Sequence, residues 1–124
     1  MATDVSTHTV LVIEDNHSLN RMFCKHLSAS GFTCHGVVTI DEAITAINTN
    51  RPDLLVLDFE LPDGYGTRIL DYMRSENFHI PVIVVSGNNL VLQLKHTDYN
   101  IHHILFKPVS PRQLSALVAE AIAL

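Results

Sequence analysis

Five polar residues stand out because each directly follows an apolar or β-branched run. Thr9-Val10-Leu11-Val12-Ile13 stops at Glu14-Asp15, Leu54-Leu55-Val56-Leu57 stops at Asp58, Val82-Ile83-Val84-Val85 stops at Ser86, and Lys107 follows a shorter run that ends at Phe106. If these residues share one crevice, three carboxylates repel one another by about 4 kcal/mol per pair at ~4 Å in an effective dielectric near 20, and one lysine cannot offset that. A hard divalent cation can. Oxygen donors with neither Cys nor His among them suit Mg²⁺ better than Zn²⁺. A carboxylate beside Mg²⁺, an ammonium and a hydroxyl can attack phosphorus: Asp58 as nucleophile, Lys107 neutralising phosphoryl oxygens and Ser86 donating a hydrogen bond. The product would be an acyl phosphate, labile enough for a signal that must later be erased. Taken singly, each acid is equally a solvated strand-end residue; only their convergence is specific.

Convergence depends on the elements. The apolar runs read as strands buried on both faces. Between them the period becomes helical: Leu19, Met22, Phe23 and Leu27 form one stripe, ended at Ser30-Gly31. Thr39 with Glu42 reads as a capping box opening a second helix, with Ala43, Ile44 and Ile47 inward. Ile69, Leu70 and Met73 mark a third, and Ser110-Pro111 begins a last helix striped by Leu114, Leu117, Val118, Ala121 and Ile122. Phe32–Val38 and His103–Phe106 complete the strands, and the crowded segment 88–100 reads as a further helix. Strands alternating with helices imply an α/β fold with a doubly wound parallel sheet of five strands and helices on both faces. In such sheets ligands sit at the carboxyl ends of the strands, where the five polar residues fall.

The composition narrows the classes. The chain has 124 residues, 47% hydrophobic and 17% charged, and is read as one domain over 1–124. A net charge of −5 repels nucleic acid and anionic membranes, so direct nucleic-acid or membrane binding by this domain is not expected. No apolar run approaches a membrane span and no signal peptide opens the chain, so a cytoplasmic location with reduced Cys24 and Cys34, packed as small apolar groups, is expected. His8, His17, His26 and His35 recur every nine residues. They fall on different elements and read as scattered surface imidazoles, not metal ligands.

Jointly these motifs resemble the receiver domain of two-component response regulators over essentially the whole chain. The matching stretches are Val10-Leu11-Val12-Ile13-Glu14-Asp15-Asn16, Pro52 to Gly64 around Asp58, Pro81 to Gly87 and Lys107-Pro108. The resemblance implies a flavodoxin-like fold with strand order 2-1-3-4-5; a receiver of this kind is itself a standard illustration of that order. It further implies that Asp58 accepts a phosphoryl group from a phosphohistidine on a sensor histidine kinase or histidine phosphotransfer protein. Glu14, Asp15, Asp58 and the backbone carbonyl of Glu60 would hold Mg²⁺. Ser86 and Lys107 would contact the phosphoryl group, with Pro108 cis-linked. Glu60 and Asn88 stand where the family tunes the lifetime of that group.

Two departures accompany the match. Three residues before Lys107 the family commonly carries an aromatic that swings on phosphorylation, and here that switch position is Ile104. The stretch Thr97 to His103 lacks the usual Gly-Ala pair, so the fourth helix is expected to be irregular. Its apolar residues Leu90 to Leu94, with Ile101 and Ile104, are a candidate surface for an output partner or for a homodimer through the fourth helix, last strand and last helix. The expected role is a switch whose product is its own altered surface, not an enzyme turning over a separate metabolite. Beginning at Met1, it is either free-standing or the N-terminal piece of a larger regulator. The alternatives are a small aspartate-nucleophile phosphatase, for which the chain leaves no room for a cap domain, and a receiver-shaped adaptor that is never phosphorylated.

Overall fold

The computed structural model describes residues 8–93 and 99–123. In chain order the elements are β1 (Thr9–Ile13), α1 (His17–Ala29), β2 (Thr33–Val37), α2 (Ile40–Thr49), β3 (Leu54–Asp58), β4 (Glu60–Leu61), β5 (Gly64–Tyr65), α3 (Thr67–Ser75), β6 (Val82–Ser86), β7 (Ile101–Phe106) and α4 (Pro111–Ala123). A parallel sheet runs β2-β1-β3-β6-β7, while β4 and β5 form a separate two-residue hairpin. Without the hairpin, the sheet has the order 2-1-3-4-5 that the resemblance implies.

Pleating divides each apolar run between two cores. Leu11, Ile13, Leu55, Leu57, Val82 and Val84 pack on the side of α2 and α3. Val10, Val12, Leu54, Val56, Ile83 and Val85 pack on the side of α1 and α4. Both faces are covered, which is why the strands read as unbroken apolar runs.

The caps follow the sequence. Asn16 accepts a hydrogen bond from Leu19 N, 3.0 Å, at the start of α1, and Thr39 Oγ1 accepts from Glu42 N, 3.1 Å, at the start of α2. Two readings of α1 need correction: His17 and His26 share this helix instead of falling on different elements, and its inward stripe differs. Met22 is 43% exposed, and the inward residues are Asn20, Phe23 and Leu27. Asn20 occupies a core position because its Nδ2 donates to the carbonyls of Glu14 and Val37, each at 2.9 Å. A buried amide so satisfied carries no desolvation debt, and an apolarity-based stripe overlooks it.

The segment after β6 also differs from the helix read over 88–100. Asn89–Gln93 is a short 3₁₀ turn, and residues 94–98 lie outside those described. The last strand is longer than His103–Phe106, because Ile101 and His102 join it. A register shift between Val82/Ile83 and their partners Ile101 and His103 leaves His102 as the extra residue. That shift places both Ile101 and Ile104 on the α2/α3 side although they stand three positions apart, an odd spacing that would otherwise put them on opposite faces.

Candidate functional site

The five singled-out residues meet at the carboxyl edge of the sheet. Glu14 and Asp15 follow β1, Asp58 ends β3, Ser86 ends β6 and Lys107 follows β7, so hydrogen-bonded neighbouring strands deliver all of them to one end. Glu14, Asp15 and Asp58 each present a carboxylate oxygen, and the three atoms lie within 4.8 Å of one another. Lys107 Nζ stands 2.8 Å from Glu14 Oε1 and 3.1 Å from Asp58 Oδ2. Glu14 and Asp58 are buried, at 2% and 5% exposure, whereas Asp15 is exposed. Above them opens a pocket of about 590 Å³ lined by Asp15, Asp58, Glu60, Ser86, Gly87, Asn88, Asn89 and Lys107.

Two buried carboxylates facing one ammonium leave an excess negative charge. Burial pushes the Asp58 carboxyl up to about 7, and the adjoining Glu14 pushes it the same way, against the opposing pull of Lys107. Burial alone would lower the Lys107 ammonium, but its hydrogen bonds to Glu14 and Asp58 and their charges prevail and hold it above the ordinary lysine range. Glu14 Oε1 is buried without an aligned hydrogen bond, although the ammonium lies beside it as an ion pair. A proton on Asp58 answers this imbalance, and so does a cation. An all-oxygen donor set of three carboxylates against one ammonium fits a hard divalent ion such as Mg²⁺.

Ser86 is buried at 1% exposure. Its Oγ accepts from Asn88 N at 2.9 Å and donates to Asn88 O at 3.2 Å, so the hydroxyl is tied to the loop it precedes. Asn88 Oδ1 in turn accepts from Leu90 N, 2.8 Å.

Sequence reasoning placed Glu60 and Asn88 beside the site but missed the bond that joins them and the tie beneath it. Asn88 Nδ2 donates to Glu60 Oε1 across the pocket mouth. Each stands two residues beyond a site residue, but only the folded sheet brings positions 60 and 88 together. Glu60 N donates to Asp58 Oδ1, 3.3 Å. The turn Leu61 to Gly64, with Gly64 at φ +142°, does more than reverse the chain. The Asp63 carboxylate accepts from Ile40 N at 2.9 Å and Asp41 N at 3.2 Å, capping α2 from a distant loop. The Ile40 N–H chiefly accounts for holding the Asp63 carboxyl below the usual range. The Lys107-Pro108 peptide is cis.

With this geometry in place, the comparisons decide the family. The profile of the response regulator receiver domain matches residues 10–119. The chain belongs to that family. Receiver domains of this family serve two-component signalling as switches and generally bind Mg²⁺ at an acidic cluster, and this chain brings together an acidic group of Glu14, Asp15 and Asp58. The phosphate regulon transcriptional regulatory protein PhoB of Escherichia coli (strain K12) is 28% identical over 112 residues, 88% of this chain and 49% of that protein. The alkaline phosphatase synthesis transcriptional regulatory protein PhoP of Bacillus subtilis (strain 168) is 29% identical over 115 residues, 88% of this chain and 46% of that protein. This receiver thus spans about half the length of the curated relatives it matches. Among solved structures, the signal receiver domain of a Luxo repressor protein from Vibrio parahaemolyticus superimposes with TM-score 0.86 at 26% identity, covering 94% of this chain and 90% of that one. A CheY-like receiver domain from Methanospirillum hungatei JF-1 shares the fold with TM-score 0.85 at 22% identity, covering 94% of each chain.

The receiver's suspected output surface needs correction. Val91 is fully buried and Ile101 is 8% exposed, so both are core residues. Ile104 is half-buried against the same core. Leu90, 45% exposed, keeps the character expected of it, and the side chains of 92–98 lie outside those described. No helix among the described residues is long and apolar enough to cross a membrane.

Proposed function

We propose that this receiver is a phosphorylation-controlled switch. Its Asp58 takes the phosphoryl group from a phosphohistidine of a sensor histidine kinase or a histidine phosphotransfer protein. The observation that carries the reading is the meeting of Glu14, Asp15 and Asp58 within 4.8 Å with Lys107 bridging two of them. Mg²⁺, when held by Glu14, Asp15, Asp58 and the backbone carbonyl of Glu60, neutralises charge on the acids and on the transferring group.

The chain's own residues account for the other steps. Asp58 must attack as the carboxylate, so the proton that burial favours on it has to leave first. Lys107, already 3.1 Å from Asp58 Oδ2, shifts its contact to a phosphoryl oxygen. Ser86 gives up its bond to Asn88 O and donates to another oxygen, drawing the 87–93 loop toward the pocket and repacking it near Ile104. Phosphorylation shifts the balance between two such surface states. The location that suits this role is cytoplasmic. The switched surface would engage an output partner, or a second copy through the side of β7 and α4, with Leu90 the exposed apolar contact.

Incubation with acetyl phosphate and Mg²⁺, read by intact mass, tests the reading. A gain of one phosphoryl group per chain that disappears in Asp58→Asn supports the switch. Continuous phosphate release would favour a phosphatase, and an unchanged mass would favour a non-phosphorylated adaptor.

A further inference from the structure

On the α1/α4 side of the sheet, the chain's two cysteines stand face to face. Cys24 lies on α1 and Cys34 on the edge strand β2. Their Sγ atoms are 2.7 Å apart, and the two are not joined. Both side chains are half-buried and pack against the same core. A disulfide bond is about 2.04 Å long, so only a small closure separates this contact from a covalent link. The two sulfurs are direct neighbours, with no room for another atom between them.

The pair is also chemically unequal. The Cys34 thiol donates its hydrogen to Cys24. That bond pulls the Cys24 thiol below its ordinary range, while the same bond, with burial, pushes Cys34 well above. The thiolate is the nucleophile in thiol oxidation, so Cys24 is the attacking sulfur and Cys34 the resolving one.

We propose that Cys24 and Cys34 are a redox modification site, forming a reversible intramolecular disulfide that staples α1 to β2 when the chain meets a peroxide. In the first step the Cys24 sulfur takes one oxygen from the peroxide, giving a sulfenic acid and, from hydrogen peroxide, one water. In the second, the Cys34 sulfur bonds to Cys24 sulfur, and the sulfenic oxygen leaves with the Cys34 proton as a second water. Two thiols are thereby oxidised by two electrons, and one hydrogen peroxide is reduced to two waters. A dithiol reductant reverses the reaction by exchange through a mixed disulfide. In a reducing compartment such bonds are transient and sensory, not structural.

The staple is linked to the backbone of Glu14 through Asn20, one turn before Cys24. Asn20 Oδ1 lies 3.8 Å from Cys24 Sγ, while its Nδ2 holds the carbonyls of Glu14 and Val37. The thiol chemistry itself does not depend on phosphorylation at Asp58.

The test treats the full 124-residue chain with hydrogen peroxide, then alkylates with iodoacetamide under denaturing conditions and reads intact mass. Two alkylations are expected before oxidation and none after. The unalkylated product should be lighter by two hydrogens, run as a monomer on a non-reducing gel and regain both alkylations after dithiothreitol. Its thermal midpoint should rise by about 5 °C or more, since a short loop is closed. Cys24→Ser should retain its one alkylatable thiol, Cys34→Ser should stop at the sulfenic acid of Cys24 or oxidise beyond it, and neither should give the product lighter by two hydrogens. Asp58→Asn should oxidise as the parent does. Persistence of two alkylatable thiols, or oxidation only to intermolecular dimers or sulfinic acid, overturns the proposal. Should a serine variant not fold, the parent chain's alkylation count decides alone.

Discussion

The floor and the rim of the acidic pocket are built by different means. The floor is Glu14, Asp58, Ser86 and Lys107, each at the end of a strand whose preceding residues are locked into the two cores. The rim is Glu60 and Asn88, half-buried or exposed, joined by one side-chain hydrogen bond between a two-residue hairpin strand and the loop after β6. The floor's positions follow from the register of the sheet, so they are as rigid as the core. The rim hangs on local contacts and can be altered without cost to the fold. On the proposed function, the chemistry would fall to the floor and the timing of its undoing to the rim.

Breaking the floor should have the largest effect. Asp58→Asn is expected to abolish phosphoryl incorporation from acetyl phosphate. Lys107→Met should slow it by about 10²-fold, the usual loss for one preorganised charge-stabilising group. It should also lower stability by about 1–3 kcal/mol in denaturant melts, because Glu14 loses its counter-charge while Asp58 can take up a proton. Incorporation at the parental rate in Lys107→Met would place the lysine outside the chemistry.

The backbone beneath the floor gives the next effect. A Cβ at Gly66, where α3 begins, would lie 2.9 Å from the Asp58 carbonyl oxygen and 3.2 Å from Leu57 Cγ. Neither backbone nor packed leucine can retreat cheaply, so Gly66→Ala should cost about 1–3 kcal/mol. It should also slow labelling, because Asp58 must shift with its carbonyl. A melt unchanged from the parent would mean that the helix start yields instead.

How much of this was legible in the sequence follows the same division. The strand runs and their terminal acids, serine and lysine are written in period and residue type, because a strand covered on both faces must be apolar until it reaches the edge. The α1 stripe was misread at Met22 and Asn20, since a core amide satisfied by two carbonyls carries no apolar signature. Ile101 looked like surface because a register shift at His102 turns it inward, and single-strand periodicity cannot register an extra residue opposite a neighbour. The Glu60–Asn88 and Asp63–Ile40 ties join residues 28 and 23 positions apart. No local pattern encodes them.

Protonation offers a gentler probe of the floor. With burial raising Asp58 to about 7, the fold favours its protonated form. The stability this confers on the metal-free chain is complete below the ordinary carboxylate range and is lost as pH rises through about 7. Mg²⁺ requires the carboxylate, so it competes with that proton. The ion should raise the thermal midpoint more at about pH 8 than at about pH 5.5, with apparent affinity falling up to ~10-fold for each pH unit below the transition. Asp58→Asn should remove the slope, and an equal Mg²⁺ effect at both pH values would deny the coupling.

The smallest effect should come from the rim, and two substitutions there separate charge from span. Glu60→Gln removes the negative charge but keeps an oxygen able to accept from Asn88 Nδ2. Asn88→Ala keeps the charge but frees the Glu60 side chain from its partner. Because the tied pair crosses the mouth through which water reaches the phosphoryl group, loss of the span matters more than loss of the charge. Asn88→Ala should shorten the half-life of phosphorylated Asp58 about five-fold, the rate equivalent of roughly 1 kcal/mol for one hydrogen bond. Glu60→Gln should stay within about two-fold, and neither should alter the rate at which the label is gained. The reverse order of effects would show that the carboxylate's charge, not the bridge, governs access of water and would move Glu60 from the rim into the chemistry of the floor.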